Sequence, residues 1–137
     1  PAWSWKKIGN SNSTIGAYGC TLTSVAMASS YFGCERDPAW MAKYLNYLND
    51  LIIWQSIEKV CCFKFKYRYY KHVKDIFTEA INKNPKTVVL LNVQSGRHWV
   101  IATKKIWGGY TVVDPWSGMY NFYSDGSVVG GTILESK

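Results

Sequence analysis

Three residues of this chain have types and settings suited to nucleophilic chemistry. Cys20 follows Gly16, Ala17, Tyr18 and Gly19 and directly precedes a segment with helical apolar spacing. A helix N-terminus carries about half a positive charge and unpaired backbone N–H groups. Both favour thiolate over thiol and so make a nucleophile. Gly19 leaves room for a substrate backbone to approach, and the N–H of Cys20 is suited to face an oxyanion. A departing amine then needs a proton donor, and the chain holds two histidines. His98 opens the apolar run Trp99, Val100, Ile101 and Ala102 straight after a Gly-containing turn. His72 lies between Lys71 and Lys74 at the start of an amphipathic segment and reads as a solvated residue near a helix cap. Asp114 closes the next strand pattern, in Val112, Val113, Asp114 and Pro115. If residues 98–104 and 110–113 pair as a hairpin, the start of one strand lies beside the end of the other. His98 and Asp114 then become neighbours, and a carboxylate so placed orients an imidazole. Taken singly, each has a commonplace reading as a buried thiol, a surface histidine or a turn signal. Together they point to acyl chemistry on a thiol.

The elements that must position these residues follow from periodicity. Leu22, Val25, Ala26, Ser29 and Phe32 predict a helix after Cys20, with Gly33 as its stop. Asp37 and Pro38 form an N-cap and first position for a second helix, whose apolar face runs through Trp40, Met41, Tyr44, Leu45 and Leu48. A helical turn or two is expected within Trp54–Val60. Phe63, Phe65, Tyr67 and Tyr69 alternate with Lys64, Lys66, Arg68 and Tyr70, the pattern of a strand with one wet face. Val73, Ile76, Phe77, Ala80 and Ile81 give the clearest helix, ended by Asn84 and Pro85. Thr87–Val93 is a continuous apolar run, as in a buried central strand. A turn over Gln94–Arg97, strands over His98–Lys104 and Tyr110–Val113 and a turn at Gly108 and Gly109 follow. Met119–Tyr123 and Ser127–Ile133, joined by Asp125 and Gly126, complete the sheet. Helices first and an antiparallel sheet second argue for the α+β class.

The 137 residues suffice for a single domain spanning 1–137, with 47% hydrophobic and 16% aromatic side chains to fill a core. No apolar run reaches the ~20 residues of a membrane-spanning helix, and no signal-peptide pattern is present. The start at Pro1 suggests a domain of a longer chain. Lys and Arg number 16 against 9 Asp and Glu, a net charge of +7. The excess includes Lys59, Lys64, Lys66, Arg68, Lys71 and Lys74. Such a surface suits an anionic polymer or acidic partner; no nucleic-acid motif accompanies it, so nucleic acid is not expected as a partner. The cysteines Cys20, Cys34, Cys61 and Cys62 have no zinc-ligand spacing, and no metal or organic cofactor is implied. Cys34, Cys61 and Cys62 read as core or incidental thiols, with one bridge such as Cys34 to Cys61 left open.

The run from Thr14 to Met27 around Gly19-Cys20 resembles the nucleophile motif of C39-like cysteine peptidases of papain fold. Gly96-Arg97-His98-Trp99-Val100 and Val112-Val113-Asp114-Pro115-Trp116-Ser117-Gly118 are similar to that family's His and Asp motifs, in matching order and spacing. The resemblance covers essentially the whole chain. It implies a papain-like fold with N-terminal helices packed on a C-terminal antiparallel sheet. It also implies a Cys20, His98, Asp114 catalytic triad, and a hydrolase, a thiol protease, that cleaves amide bonds. Relatives of this kind cut leader peptides or serve as peptidoglycan hydrolase modules of bacteria and phage, so a peptide or peptidoglycan substrate and an extracellular, cell-wall or virion setting are expected. Trp99 and Trp116 adjoin the set and are candidates to line the cleft with Gly19; Trp3, Trp5 and Trp107 are weaker ones. Two departures stand out. Thr21 and Leu22 follow Cys20 where the family often has Gly-Pro, and no Gln precedes Cys20 to serve as an oxyanion donor. Such a Gln would lie before Pro1; otherwise Asn10, Asn12 or Ser13 would substitute. The alternatives are a weak or inactive peptidase fold that binds peptide or cell wall, and an acyltransferase that resolves the same thioester with an amine.

Overall fold

The computed structural model describes residues 20–34, 36–44, 47–48, 51–52, 57, 62–115 and 117–137. In chain order the elements are α1 (Cys20–Tyr31), α2 (Pro38–Tyr44), β1 (Tyr47–Leu48), β2 (Leu51–Ile52), β3 (Phe63–Tyr69), α3 (Lys74–Asn82), β4 (Thr87–Val93), β5 (His98–Ile106), β6 (Gly109–Val113), β7 (Tyr120–Ser124) and β8 (Gly130–Ser136). The main sheet has six antiparallel strands in the order β3-β8-β4-β5-β6-β7, and β1 with β2 forms a separate two-stranded ribbon. The α+β class is therefore observed.

Strand β4 decides how the layers form. All seven of its side chains are buried. Alternation sends Val88 and Leu90 to one face and Val89, Leu91 and Val93 to the other. The first face packs on α1 through Leu22, Val25 and Ala26, together with Trp99, Ile101 and Leu134. The second packs on α3 through Phe77, Ala80 and Ile81, together with Val100, Ala102 and Tyr110. A continuous apolar run marks a strand covered on both sides, whereas an amphipathic segment such as α3 marks a cover.

Helix ends follow their sequence signals. The Asp37 carboxylate accepts from the Trp40 N–H at 2.8 Å and caps α2. Gly33, at φ +79°, takes the left-handed turn beyond α1, where the Cys34 N–H returns to the Ser29 carbonyl at 3.1 Å. Helix α2 stops at Tyr44, short of the expected apolar face, because Tyr47 and Leu48 pair with β2 instead. Of the helical turn expected within Trp54–Val60, only Ile57 lies among the described residues, and it is helical.

The strand order and the cysteine pairing go beyond what local pattern gave. Strand β8 does not extend the sheet beyond β7; it crosses to lie between β3 and β4. Burial explains this: Ile133 and Leu134 are both buried, one on each face, which an edge position beyond the exposed β7 would not provide. Cys34 and Cys62 are not thiols but form a disulfide, with Cα atoms 6.1 Å apart. The partner of Cys34 is thus Cys62 rather than Cys61, which lies outside the described residues.

Candidate active site

His98 is fixed by the tight connection that precedes it. Gln94–Gly96 form a 3₁₀ turn in which Gln94 and Ser95 hold φ of 52° and 57°. Positive φ is unfavourable for residues with a side chain and persists only where the surroundings enforce it. Here the enforcing group is Asn92, whose buried amide, turned with nitrogen inward, donates to Gly96 O at 3.1 Å and His98 O at 3.0 Å. Across the turn, Val93 pairs with His98, so the histidine is the first residue of β5.

The β5–β6 register pairs Ile101 with Val113. One step further sets Asp114 level with Val100, which makes His98 and Asp114 diagonal neighbours on one face. The outcome is a hydrogen bond of 2.8 Å between His98 Nε2 and Asp114 Oδ2, with both side chains mostly shielded, at 18% and 23% exposure. The second carboxylate oxygen, Oδ1, accepts from the Ser117 N–H at 3.2 Å. The loop itself is closed by the Gly118 N–H on Asp114 O at 2.8 Å and by the Asp114 N–H on Met119 O at 2.9 Å. Both oxygens of the carboxylate are thus engaged, one by the ring and one by the backbone.

Helix α1 reaches this corner from the far side of the molecule. Its C-terminal side is anchored where Phe32 stacks on Phe63 at 4.8 Å, at the first residue of β3. Toward its other end the buried Ser24 hydroxyl donates to the carbonyl of Trp99 at 3.3 Å, one residue from His98. In the sheet the Phe63 end and the His98 end are opposite, since the register runs from Phe63 and Ser136 at one end to Asn92 and Trp99 at the other. Stepping back one helical turn from Ser24 sets Cys20 at the His98 end. Cys20 is the first residue of the helix, and a helix N-terminus favours anionic character. An imidazole oriented by a carboxylate is an arrangement suited to accept and return a proton.

No protein-family model matches the chain, and no curated protein matches it. The remaining sequence candidates divide. Trp99 is buried at 7% exposure in the α1-facing core, so its ring packs before it lines anything. Trp107 is fully open at the tip of the β5–β6 hairpin, at the opposite end of β5 from His98, and does not belong to this corner. Gly19, Asn10, Asn12, Ser13 and Trp116, like Trp3 and Trp5, lie outside the described residues. Among the described residues no group of three or more His, Cys, Asp or Glu could hold a metal ion, and no helix is long and apolar enough to cross a membrane.

His72 is not the solvated residue its basic neighbours suggest. Its side chain is only 20% exposed and its Nε2 lies 2.6 Å from the Tyr110 hydroxyl. Lys105 pairs with Tyr110 across the hairpin, holds Asp125 at 3.1 Å and lies 4.9 Å from the Tyr110 ring centre. Burial is the main force that lowers the His72 pKa, opposed by Asp125 and aided by Lys105 and Lys74. Burial, then Asp125, raises that of Tyr110, whose hydroxyl stays protonated. This network ties the segment before α3 to the β5–β6 hairpin and stands apart from His98. The Lys105–Tyr110 pairing was open to a hairpin argument; the approach of His72 was not, because it depends on how α3 packs.

Proposed function

We propose that the chain is a cysteine peptidase domain of papain-like fold, with Cys20 as nucleophile, His98 as acid and base and Asp114 as the group that orients the ring. The observation that carries this is the 2.8 Å bond from His98 Nε2 to Asp114 Oδ2 at the sheet end that receives the start of α1. A carboxylate on Nε2 keeps a proton there and leaves Nδ1 to exchange one with the thiol. Cys20 Sγ, as thiolate, attacks the amide carbon, and the carbonyl electrons move to oxygen. The backbone N–H of Cys20 is a donor for that oxyanion. The oxyanion collapses, the C–N bond breaks, and His98 Nδ1–H gives its proton to the departing amine. Nδ1 then takes a proton from water, the hydroxide adds to the thioester, and the thiolate leaves with the carboxylic acid product.

A peptide is the substrate, within peptidoglycan or a leader sequence. The net charge of +7 supports a substrate embedded in anionic wall polymer. The Cys34–Cys62 disulfide supports an oxidising, extracellular setting. Thr21 and Leu22 after Cys20, where the resembled family often has Gly-Pro, favour a second reading, a domain of the same fold that binds peptide without cleaving it.

Iodoacetamide labelling with peptide mapping separates the two. An active site gives rapid alkylation of Cys20 that persists below about pH 8, the range of an ordinary thiol, and that His98→Ala abolishes. Hydrolysis of cell-wall peptides or a peptide library should disappear in Cys20→Ala. Cys20 labelling at the rate of a free thiol, or undiminished hydrolysis in Cys20→Ala, rejects the peptidase.

A further inference from the structure

Alternation in residues 63–70 puts Arg68 on the wet face of its strand, yet the structure turns it inward. The cause is a register shift between Phe65 and Tyr67 in the β3–β8 pairing. Before it, Phe65 pairs with Leu134; after it, Arg68 pairs with Thr132, which is level with Leu90 and through it with Ile101. Leu90, Ile101 and Leu134 all belong to the α1-facing core. The extra residue thus moves Arg68 onto the face that carries Trp99. Re-aiming a side chain is what a bulge does, and bulges gather beside functional sites.

The guanidinium is held there as a fixed fork. Its carbon lies 4.1 Å from the Tyr70 ring centre and 4.8 Å from that of Trp99, so the cation sits against two aromatic rings. Nη1 donates to the Tyr69 carbonyl. Gly130 makes the space: a Cβ there would stand 2.7 Å from Nη1 and 2.5 Å from Tyr69 O. Arg68 is half-buried, and among the described residues it forms no ion pair. The carboxylate of β8, Glu135, is engaged by Lys64 and by Lys66, the residue at the register shift. A half-buried cation without a counter-ion is costly unless something supplies the anion. Tyr70 is exposed, so the fork can be reached from solvent. Trp99, on which the fork rests, is the residue after His98 and the one whose carbonyl holds α1.

We propose that Arg68 is a specificity residue that binds a carboxylate of the peptide substrate on the α1-facing side of the sheet. Arginine offers parallel N–H groups that match a carboxylate, and this guanidinium is only half-buried. The carboxylate is either the free end of a short peptide or an acidic side chain. This rests on the peptidase reading for what the ligand is, but not for whether it binds.

The test uses Cys20→Ala protein, which cannot consume a ligand, and four probes: N-acetyl-Ala-Ala-Ala as free acid and as amide, and N-acetyl-Ala-Ala-Glu amide and N-acetyl-Ala-Ala-Gln amide. Binding is followed by the NMR signals of the Arg68 Nε–H and the Trp99 indole N–H. At least one acid should shift both signals and bind about tenfold or more tightly than its neutral counterpart. Which acid does so tells a chain end from a side chain. Arg68→Gln should erase the preference, and Arg68→Lys should keep part of it. Equal affinities for acid and neutral probes overturn the proposal in the parent protein, without need of any Arg68 variant. So does a preference that survives Arg68→Gln, or the absence of shifts with all four probes. A preference for the acids in Cys20→Ala, together with no hydrolysis of any peptide by the unsubstituted protein, rejects the peptidase reading alone.

Discussion

At the scale of single residues, the Asp114 carboxylate bears directly on mechanism. One oxygen holds the His98 ring and the other holds the loop through Ser117. Asp114→Ala removes both, and peptide hydrolysis should fall on the order of 10²–10⁴-fold in kcat/KM. Asp114→Asn keeps an oxygen that can accept from Nε2–H and should lose less. Equal losses in the two variants would show that orientation of the ring is not what Asp114 supplies.

His72 gives a second prediction at this scale. Its neutral ring can accept from the Tyr110 hydroxyl, and burial holds its pKa below the ordinary 6.5. Between the folded value and 6.5 the unfolded chain binds more protons, so stability rises with pH across that window. The contribution is complete above about pH 6.5 and is lost as pH falls through the lower, folded value. Thermal midpoints measured between about pH 5 and 7 should therefore fall on acidification, and less steeply in His72→Gln. An identical slope in the variant would mean that this ring is not buried neutral. The approach of His98 to Asp114 was legible in the sequence, because two adjacent strands joined by a short turn leave little freedom. Arg68 and His72 were misread as solvated, since a bulge and a helix packing decide their surroundings and neither leaves a mark in local periodicity.

At the scale of elements, the junction of β4 and β5 bears most directly on the site. Asn92 is the last but one residue of β4, and its amide ties together the strained turn and the carbonyl of His98. Asn92→Ala leaves two carbonyls without these donors and relaxes the turn that aims His98. A loss of about 1–3 kcal/mol in denaturant melts is expected. Peptide hydrolysis at temperatures where the variant is fully folded should fall as well. A stable, fully active Asn92→Ala would reject the amide as the support of the turn. The strand itself was plain in the sequence, since seven apolar or small residues between turn signals fit a strand buried on both faces. Its use of Asn92 was hidden, because an Asn in an apolar run has no period to betray its partner. The exchange of β8 into the middle of the sheet was hidden for another reason: pairing order among short antiparallel strands depends on long-range burial.

At the scale of the whole molecule, the layers are tied at opposite ends by different means. At the His98 end, a hydrogen bond from Ser24 joins α1 to β5. At the other end, the Phe32–Phe63 stack and the Cys34–Cys62 bridge join the exit of α1 to the entry of β3. The bridge spans a sequence separation of 28 residues. A loop of that size implies about 3–4 kcal/mol of stabilisation, mainly by restricting the unfolded chain. Reduction, or Cys34→Ser, should therefore lower the denaturant midpoint with little change in its slope. The two ends predict a separation of effects. Because the bridge lies at the end of the sheet remote from His98, alkylation of Cys20 in the reduced, still folded protein should keep its rate and its pH profile. An unchanged midpoint would remove the bridge as a source of stability. A slowed Cys20 would mean that the hold of α1 on the Phe63 end reaches along the helix to the site, and that the two anchors act as one.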